Sequence, residues 1–516
     1  MDPTKPFVLA HDARTGGARL FAEPVGIIQA HEPSEVAAAF ATMRDAVHQG
    51  FWLAGGLSYE AGLALEPRLF AQAPPGELLW FGQFDAPQSL SASALAALLD
   101  RFERPTAIGQ ATPRIPQAAY FRAVDSVQQL IGAGDIYQAN LTFQASVAVG
   151  GHPLALFRRL FRTAHAPHAA LVYTGRQWWL SLSPELFFQL EARALTARPM
   201  KGTAPRQADP QADRASATAL AADPKNRAEN LMITDLIRND LARVSVAGSV
   251  RVPALFTPET YPSIHQLTST VTARLAPENS AIDALQALFP CGSITGAPKI
   301  RAMQIIGETE NEPRGIYCGS IGWIGPDAAH FNVAIRTLVI ADGKASLGLG
   351  SGLVADSVAA DEWDECLAKA RFLEASAPET LIETMPRAPD GTIARLDIHL
   401  ARLGASAARF GFVFDEAAVR ARIAALPASA VPQRLRLLAA ASGAFAVQMS
   451  PVSPSPKGAV AVSLARLPVP STDWRLAHKS SNRGFYDAAR RASGSFEVIF
   501  LEIGRASCRE RVYCVV

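Results

Sequence analysis

The sequence has few cysteines, little net charge and no long apolar run. Its five cysteines are spread over 516 residues and none has C-x-x-C spacing. Neither a disulfide framework nor a zinc site is therefore predicted. A net charge of +2 gives no strong field, which argues against nucleic acid or a membrane surface as partner. No run approaches the roughly 18 apolar residues of a membrane-spanning helix, and no signal peptide begins the chain. We therefore expect a cytoplasmic protein.

Two functional signatures are also missing. The phosphate-binding pattern G-x-x-x-x-G-K-[ST] does not occur. No nucleophile-elbow cysteine with a matching His–Glu pair is found, so the sequence predicts no glutaminase of its own. What is present is ordinary for a soluble enzyme: 49% hydrophobic and 19% charged residues. The length is sufficient for two or more domains.

The order of helix-like and strand-like segments predicts an α+β fold. Strands occur in clusters with helices between the clusters, which is not the alternation of a doubly wound parallel sheet. Strands are predicted over 51–60, 136–148, 169–175, 177–183, 185–191, 193–199, 316–325, 329–341 and 345–350. Helices are predicted over 34–48, 117–132, 224–244, 358–375 and 397–412.

Changes in composition divide the chain into four segments. Residues 1–115 are expected to form an N-terminal subdomain and 116–375 the main domain. A third region covers 381–502. Residues 503–516 continue no pattern, which indicates a non-native tail, with a natural disordered tail as the alternative.

Acidic residues stand out on two predicted helices. Glu362, Glu365 and Lys369 share one face of the 358–375 helix. They form either a solvated charged face or part of a site for a hard cation such as Mg2+. Glu229 lies on the same face as apolar residues of the 224–244 helix, where a carboxylate needs a partner. An arginine or a metal ion would serve.

Two glycine-rich stretches and one lysine complete the candidate features. Residues 291–299 lead into a helix, and 347–352 leave a strand with little side-chain bulk. Both can present backbone N–H groups to an anion, or can be simple turns. Lys201 lies between a strand-like run and Gly202. It is either a surface turn residue or, with its pKa lowered by apolar surroundings, a nucleophile.

These features occur together in an order that resembles the chorismate-utilising enzymes. That family includes the anthranilate, aminodeoxychorismate, isochorismate and salicylate synthases. The resemblance extends over about 1–375, and its matching runs are Gly134–Leu141, Ser183–Glu185, Arg227–Asn230, Asp235–Leu241, Gly296–Lys299, Gly315–Gly319, Ala334–Thr337, Gly348–Gly352 and Glu362–Lys369. It implies large antiparallel sheets with helices outside.

Two positions discriminate within that family. Anthranilate synthases resemble P-I-A-G-T where this chain has Pro199-Met200-Lys201-Gly202-Thr203, whereas aminodeoxychorismate synthases typically have lysine there. The water-adding members have a general-base lysine at the position of Gln138. The resemblance therefore implies amination of chorismate at C4, with Lys201 as covalent nucleophile.

The same resemblance implies the remaining roles. Glu185 would act as general acid, and His265 either as a second catalytic group or as a core histidine. The metal ligands for Mg2+ would be Glu229 and Glu365, supported by Glu362. The residues that would hold the carboxylates of chorismate are Tyr317, Arg336, Gly350, Ser351, Gly352, Lys369, Thr295 and Gly296. Ammonia would come from a separate glutamine amidotransferase subunit.

The third region resembles the beginning of a class IV aminotransferase or 4-amino-4-deoxychorismate lyase of fold type IV. The matching runs are Leu381–Thr384, His399–Leu403 and His478–Arg483. They imply Lys479 as a Schiff-base lysine and Arg402 as a ligand of the pyridoxal phosphate group. The pattern breaks after Glu502, so we expect this domain to be partial and inactive. Pyridoxal phosphate is expected only for a complete domain.

Two other functions stay open on the sequence alone. One is an anthranilate synthase component I. The other is a non-catalytic scaffold that binds chorismate and an amidotransferase.

Overall fold

The chain folds as two compact units in a computed structural model. The first is Met1–Ala375 and the second Ser376–Val516. The structure describes residues 2–102, 106–164, 166–206, 210–260, 264–373, 380–440, 443–452, 458, 460–467, 473–502 and 511–514. No described helix is long and apolar enough to cross a membrane.

The first unit contains twenty described strands and ten described α-helices. The strands are β1 Phe7–Asp12, β2 Gly17–Ala22, β3 Gly26–Ala30, β4 Trp52–Leu57, β5 Leu79–Phe84, β6 Gln88–Leu90, β7 Ala107–Pro113, β8 Gln138–Gly150, β9 His168–Tyr173, β10 Gln177–Ser183, β11 Leu186–Glu191, β12 Ala194–Arg198, β13 Met200–Pro205, β14 Arg251–Thr260, β15 Ile264–Arg274, β16 Gly296–Ala297, β17 Ser320–Ile324, β18 Ala328–Val333, β19 Thr337–Ala341 and β20 Lys344–Leu353. The helices are α1 Val36–His48, α2 Tyr59–Leu65, α3 Ala92–Asp100, α4 Gln117–Gly132, α5 Pro153–Ala164, α6 Pro210–Ala222, α7 Pro224–Ala242, α8 Ala281–Leu288, α9 Lys299–Thr309 and α10 Ala359–Lys369.

The strands form two antiparallel ten-stranded sheets. The first sheet has the order β16-β8-β20-β19-β10-β9-β1-β2-β6, with β7 also paired to β8. The second has the order β13-β15-β12-β11-β18-β17-β4-β5-β3, with β14 also paired to β15. Residues 1–115 supply strands to both sheets, so this segment shares its core with residues 116–375.

An aromatic layer packs between the two sheets. It joins Phe21 and Trp179 of the first sheet to Trp80 and Trp323 of the second, and the rings of Trp80 and Trp179 meet edge to face with centroids 6.4 Å apart. Two further apolar clusters fill the space between each sheet and the helices outside it. This arrangement of antiparallel sheets with helices outside is the predicted α+β fold, and the prediction is confirmed.

The second unit is smaller and has two described three-stranded sheets. Its strands are β21 Thr380–Arg387, β22 Gln433–Ala440, β23 Phe445–Pro451, β24 Val462–Arg466, β25 Glu497–Glu502 and β26 Arg511–Cys514. Its helices are α11 Leu396–Phe410, α12 Glu416–Ala424, α13 Trp474–Ala477 and α14 Gly484–Ser493. Of the predicted tail, 511–514 pair with β25, and 503–510 and 515–516 lie outside the described residues.

Most predicted elements lie within a few residues of the observed ones, and three differ. The strand expected over 329–341 is two strands in different sheets, β18 and β19, because the chain crosses between the sheets at a turn that contains Arg336 in the left-handed region (φ 49°). The strand expected over 316–325 begins only at Ser320. The strand expected over 51–60 ends at Leu57, and Tyr59 and Glu60 are buried residues of the helix α2.

A buried arginine ties together the segments that surround the centre of the first unit. The guanidinium of Arg314 donates to the Glu310 carboxylate at 2.6 Å, to the Ile294 carbonyl at 2.9 Å and to the Asn140 carbonyl at 2.6 Å. Its plane lies over the Tyr59 ring, 4.3 Å from the centroid. One side chain thus links α9, β8, α2 and the turn that precedes β16.

We predict that Arg314→Met destabilises the first unit by about 3–5 kcal/mol, because it leaves the Glu310 carboxylate buried without its cation. Urea unfolding followed by tryptophan fluorescence measures this, since six of the seven tryptophans precede residue 376. Arg68→Met, which removes an exposed pair with Glu66, is the control and should leave the midpoint near wild type. A wild-type midpoint for Arg314→Met would contradict the account.

Candidate active site

A cavity of about 490 Å3 opens in the first unit and collects most of the predicted residues. It is lined by residues of β13, α7, β20 and α10, by Glu185 before β11, and by the turns at 293–294, 317 and 335–336. The predicted residues on its wall are Glu185, Lys201, Glu229, Tyr317, Arg336, Gly350, Gly352, Glu362, Glu365 and Lys369. Predicted residues up to 184 positions apart in the sequence, from Glu185 to Lys369, therefore meet at one place.

Lys201 is directed into this cavity by an irregularity of its strand. The pairing of β13 with β15 shifts register between Met200 and Thr203, and such shifts re-aim side chains. Gly202 takes a left-handed conformation (φ 92°), which glycine adopts without strain. A Cβ there would also lie 2.8 Å from the Asn226 side-chain oxygen. The glycine thus lets α7 pack closely behind the lysine.

The amine of Lys201 faces Gly352 of β20, a position without a side chain. A Cβ on Gly352 would lie 2.5 Å from Lys201 Nζ and 2.7 Å from Gln138 Nε2. Gln138 is fully buried, and neither its amide oxygen nor its amide nitrogen has a hydrogen-bond partner in the described structure. An unsatisfied buried amide is costly, so this end of the cavity is suited to a small polar molecule.

Two lysines on the cavity wall have opposite electrostatic environments. Removal from water lowers the pKa of Lys201, and the positive charge of Lys369 lowers it further. The carboxylates of Glu229, Glu365 and Glu185 raise this pKa, but the net shift is downward. Desolvation lowers the pKa of Lys369, but its ion pair with Glu365 at 2.8 Å, together with the effects of Cys366 and Glu362, raises it on balance. Lys369 also donates to the Gly350 carbonyl at 2.8 Å. One cavity thus contains a lysine whose surroundings favour the neutral amine and a second lysine whose charge is stabilised by an ion pair.

Glu185 is a buried acid with 3% of its surface exposed. Burial raises its pKa to about 7, against the opposing effects of a hydrogen bond from Ser293 and the charge of Lys201. The Ser293 hydroxyl donates to Glu185 Oε1 at 2.7 Å. Ser183 holds the segment, since its hydroxyl donates to the Val333 carbonyl at 2.6 Å. An acid whose pKa is near neutrality can give or take a proton at cellular pH.

Three further carboxylates line the cavity. Glu229 comes from α7, which begins at Pro224 and is capped by Asp223 through a 2.7 Å bond from Asn226 N. Glu362 and Glu365 come from α10. Desolvation raises the pKa of Glu229, and the like charges of Glu362 and Glu365 add to the effect. Glu362 accepts from the Ser357 hydroxyl at 2.6 Å.

The donor chemistry of this wall fits Mg2+. Among the described residues, no three His, Cys, Asp or Glu side chains form a ready-made cage for an ion. Magnesium does not need one, because it usually keeps several waters and binds one or two carboxylates together with its substrate. The mutual repulsion of Glu229, Glu362 and Glu365 is what a divalent cation would offset.

Tyr317 and Arg336 reach the cavity from two turns that contain non-glycine residues in the left-handed region. Cys318 (φ 62°) follows Tyr317, and Arg336 has φ 49°. The turns hold each other through the bonds Cys318 N to Ala334 O at 3.1 Å and Ala334 N to Gly319 O at 2.9 Å. Strained backbone of this kind persists where the surroundings enforce it, often at functional sites.

Four predicted residues do not line the cavity. His265 is buried, with its ring nitrogens 2.9 Å from Asp213 Oδ1 and 3.0 Å from Thr260 Oγ1, which matches the core-histidine alternative. Thr295 and Gly296 belong to the turn itself: the Thr295 hydroxyl donates to the Cys291 and Gly292 carbonyls, and Gly296 pairs with Ala139. The Ser351 side chain lies behind β20 and contacts Tyr120 Oη at 3.0 Å.

The sequence did not single out Asn226 or Ser293 as parts of the site, and it marked Gln138 only as a position that discriminates within the family. Ser293 lies within the glycine-rich stretch 291–299, which the sequence marks only for backbone N–H groups that could bind an anion. No spacing rule connects it to Glu185, which is 108 residues earlier. The turn at 291–296 in the folded chain brings Ser293 and Glu185 into contact.

A larger cavity of about 920 Å3 lies beside β1, β9 and β12 and contains none of the predicted catalytic residues. Its wall includes His168 and His330, whose ring nitrogens are 3.1 Å apart. Burial lowers both pKa values, to about 2 for His168 and about 4 for His330. The pair is therefore neutral and gives this cavity no acid–base group near pH 7.

In the second unit, the two predicted cofactor residues have different environments. Desolvation lowers the pKa of Lys479, which suits an imine-forming amine. Arg402, however, uses Nε and Nη2 on the buried Glu383 carboxylate, both at 2.6 Å. Its bidentate face is therefore not available to a phosphate group. The described residues do not fit the expected phosphate site, and we derive no chemistry through pyridoxal phosphate.

The first unit is a two-sheet α+β fold whose cavity brings together a lysine, a near-neutral acid and three carboxylates. The sequence model of the chorismate binding enzymes matches residues 5–375. The chain belongs to the chorismate binding enzyme family. The model of the class IV amino-transferases matches residues 380–503.

Relatives and solved structures agree with this assignment. An aminodeoxychorismate synthase component 1 of Salmonella typhimurium is 47% identical over 244 residues, which are 47% of this chain and 54% of that protein. An anthranilate synthase component 1 of Streptomyces coelicolor is 42% identical over 264 residues, 51% of this chain and 52% of that protein. The chain spans about half the length of the curated relatives it matches. Anthranilate synthase component I of Streptococcus pneumoniae has 25% identity and a TM-score of 0.59, covering 72% of this chain and 93% of that one. The menaquinone-specific isochorismate synthase of Escherichia coli, at 17% identity, has a TM-score of 0.56 and covers 73% and 91%.

We predict that the pH-dependence of amine labelling separates Lys201 from Lys369, two of the three lysines that line the cavity. Because its pKa is lowered, Lys201 should gain reactivity toward acetic anhydride at lower pH than Lys369, whose pKa is raised. Peptide mass spectrometry across a pH series measures the pH at which each lysine reaches half of its maximal labelling rate. This pH does not depend on how easily the reagent reaches the lysine. The exposed Lys344 is the reference. A midpoint for Lys201 at or above that of Lys369 would refute the electrostatic assignment.

Proposed function

We propose that this chain aminates chorismate at C4, forming 4-amino-4-deoxychorismate and water from chorismate and ammonia. The observation that carries the proposal is the amine of Lys201, which faces Gly352 and Gln138 within the cavity that also contains Glu185. Relatives at 44–47% identity are named aminodeoxychorismate synthase, which supports this choice. The product is a precursor of 4-aminobenzoate and folate.

The proposed chemistry divides one difficult substitution into two steps. The neutral amine of Lys201 attacks C2 of the ring, both conjugated ring double bonds shift, and the C4 hydroxyl leaves as water with a proton from Glu185. Ammonia then adds at C4, both double bonds shift back, and the C2–nitrogen bond breaks to release Lys201. The ionised Glu185 takes the surplus proton from the added ammonia, so both groups return to their starting states.

The remaining cavity residues bind and orient the substrate in this proposal. Arg336 suits a carboxylate through its bidentate fork, and Lys369 adds a fixed positive charge held by Glu365. Tyr317 supplies a hydroxyl. Glu229 and Glu365, supported by Glu362, would hold Mg2+, which would bind the ring carboxylate and polarise the ring. His265 stands apart from the cavity wall, and in this proposal it supports the fold of β15.

The ammonia would be supplied by a glutamine amidotransferase subunit. The designation "component 1" of the relatives supports a two-component system. In this proposal the ammonia would contact the buried amide of Gln138, which has no hydrogen-bond partner in the described structure.

A second candidate is anthranilate synthesis from chorismate and ammonia, with loss of pyruvate. It is supported by relatives named anthranilate synthase component 1 at 40–42% identity. Lys201 favours the first candidate, since anthranilate synthases resemble P-I-A-G-T at this run. A scaffold without catalysis is the third candidate, and any turnover eliminates it.

We predict that the full chain with chorismate, Mg2+ and ammonium forms 4-amino-4-deoxychorismate and no pyruvate. Lys201→Ala should lose most of this turnover while chorismate still binds, because the nucleophile is removed and the cavity remains. Glu185→Gln should fall on the order of 10²–10⁴-fold, the usual contribution of a general acid. Product chromatography with a coupled pyruvate assay measures each outcome.

Two results would overturn this proposal. Formation of anthranilate with equal pyruvate would establish the second candidate. Wild-type turnover in Lys201→Ala would remove the covalent step. Lys344→Ala, on an exposed turn of the same unit, is the matched control and should behave as wild type.

A further inference from the structure

We propose that Ser293 is a positioning residue for Glu185: its hydroxyl anchors one carboxyl oxygen and thereby controls the pH range in which that carboxyl holds a proton. The inference deepens the proposed function and rests on it only in taking Glu185 as the acid of the reaction.

The contact is built from two buried groups on separate segments. Ser293 and Glu185 have 5% and 3% of their surfaces exposed, and Ser293 Oγ lies 2.7 Å from Glu185 Oε1. Both side chains border the cavity. A hydrogen bond to an ionised group, away from water, is stronger than a neutral one.

The hydroxyl is held in place from both sides of its turn. Before it, the Lys299 ammonium donates to the Pro290 carbonyl at 2.9 Å and the Leu288 carbonyl at 3.1 Å, and pairs with the buried Asp240. After it, Arg314 donates to the Ile294 carbonyl at 2.9 Å. The partly buried Lys299 and the buried Arg314 thus fix the backbone that carries Ser293, so its hydroxyl meets Glu185 at one defined position.

The direction of the hydrogen bond follows from the proton inventory. A serine hydroxyl has one proton. The Cys291 sulfur lies 3.2 Å from Ser293 Oγ, and burial raises the pKa of that thiol to about 12, so it retains its proton near pH 7. The thiol can therefore donate to Ser293, whose own proton is directed to Glu185. This chain of donors favours the ionised carboxylate.

The groups that face Glu185 act in two opposite directions. Burial raises its pKa, while the bond from Ser293, the charge of Lys201 on β13 and the backbone N–H of Met200 lower it, for a result of about 7. Loss of the Ser293 proton donor should therefore raise the pKa further. A general acid must be protonated to act, so activity is lost as pH rises through the pKa of Glu185. In a variant without the Ser293 donor, that loss of activity should occur at higher pH.

The test is the pH profile of kcat/KM for amination, with the free ammonia concentration held constant at every pH. We expect Ser293→Ala to lower kcat and to move the alkaline limb upward by about one pH unit. Ser293→Thr keeps the donor and should return the limb to its wild-type position. Thr295→Val removes a buried hydroxyl of the same turn that does not contact Glu185, so its limb should stay at the wild-type pH.

A second readout does not depend on turnover. Infrared difference spectra of 13C-glutamate-labelled full chain, referenced to Glu185→Gln, follow the Glu185 carboxyl through its titration. Its midpoint should rise in Ser293→Ala and not in Thr295→Val. If Ser293→Ala does not fold, Ser293→Cys, a weaker donor, should shift the midpoint in the same direction by less.

The outcomes separate this inference from the proposed function. An unmoved carboxyl midpoint in Ser293→Ala, or an equal shift in Thr295→Val or Ser293→Thr, would overturn the role of Ser293 whatever the product is. A shifted midpoint with anthranilate as product would overturn the proposed function and leave the role of Ser293 intact.

Discussion

The guanidinium of Arg314 sits where water is excluded, so each of its N–H groups needs a protein acceptor. It finds them on three segments that are far apart in sequence: Glu310 at the end of α9, the Ile294 carbonyl and the Asn140 carbonyl of β8. The Glu60 carboxylate of α2 accepts from the backbone N–H groups of Arg314 and Gly315. The turn carrying Ser293 and the turn carrying Tyr317 therefore share one buried charge. The cavity depends on that charge for its shape.

Within the cavity, the free-energy cost of removing charge from water affects Lys201 and Lys369 differently. Lys201 has no close ion pair of its own in the described structure, and desolvation favours its neutral form. Lys369 has Glu365 beside it and remains charged. Glu185 is balanced between these extremes by burial and by Ser293. A nucleophile, an anchor for an anion and an acid thus arise from one desolvated space.

The sequence predicted the composition of this site better than its geometry. Helical spacing placed Glu362, Glu365 and Lys369 on one face, and resemblance to a family added Glu185, Lys201, Glu229, Tyr317 and Arg336, all of which line one cavity. What it could not predict depends on backbone that local patterns do not encode. The crossing at Arg336 split an expected strand between two sheets, and the turn at 291–296 placed Ser293 on Glu185. The sequence left open whether His265 is a catalytic group or a buried histidine of the core. Its contacts to Asp213 and Thr260 favour a role in the core.

The central claim is that Lys201 is a nucleophile, and covalent trapping tests it most directly. The full chain is mixed with chorismate and Mg2+ in the absence of ammonia, quenched with acid within milliseconds to seconds, and analysed by intact and peptide mass spectrometry. The account predicts an adduct of chorismate minus one water on Lys201, which disappears when ammonium is added before the quench. Unmodified Lys201 at every time, in a preparation that forms product once ammonium is present, would contradict it.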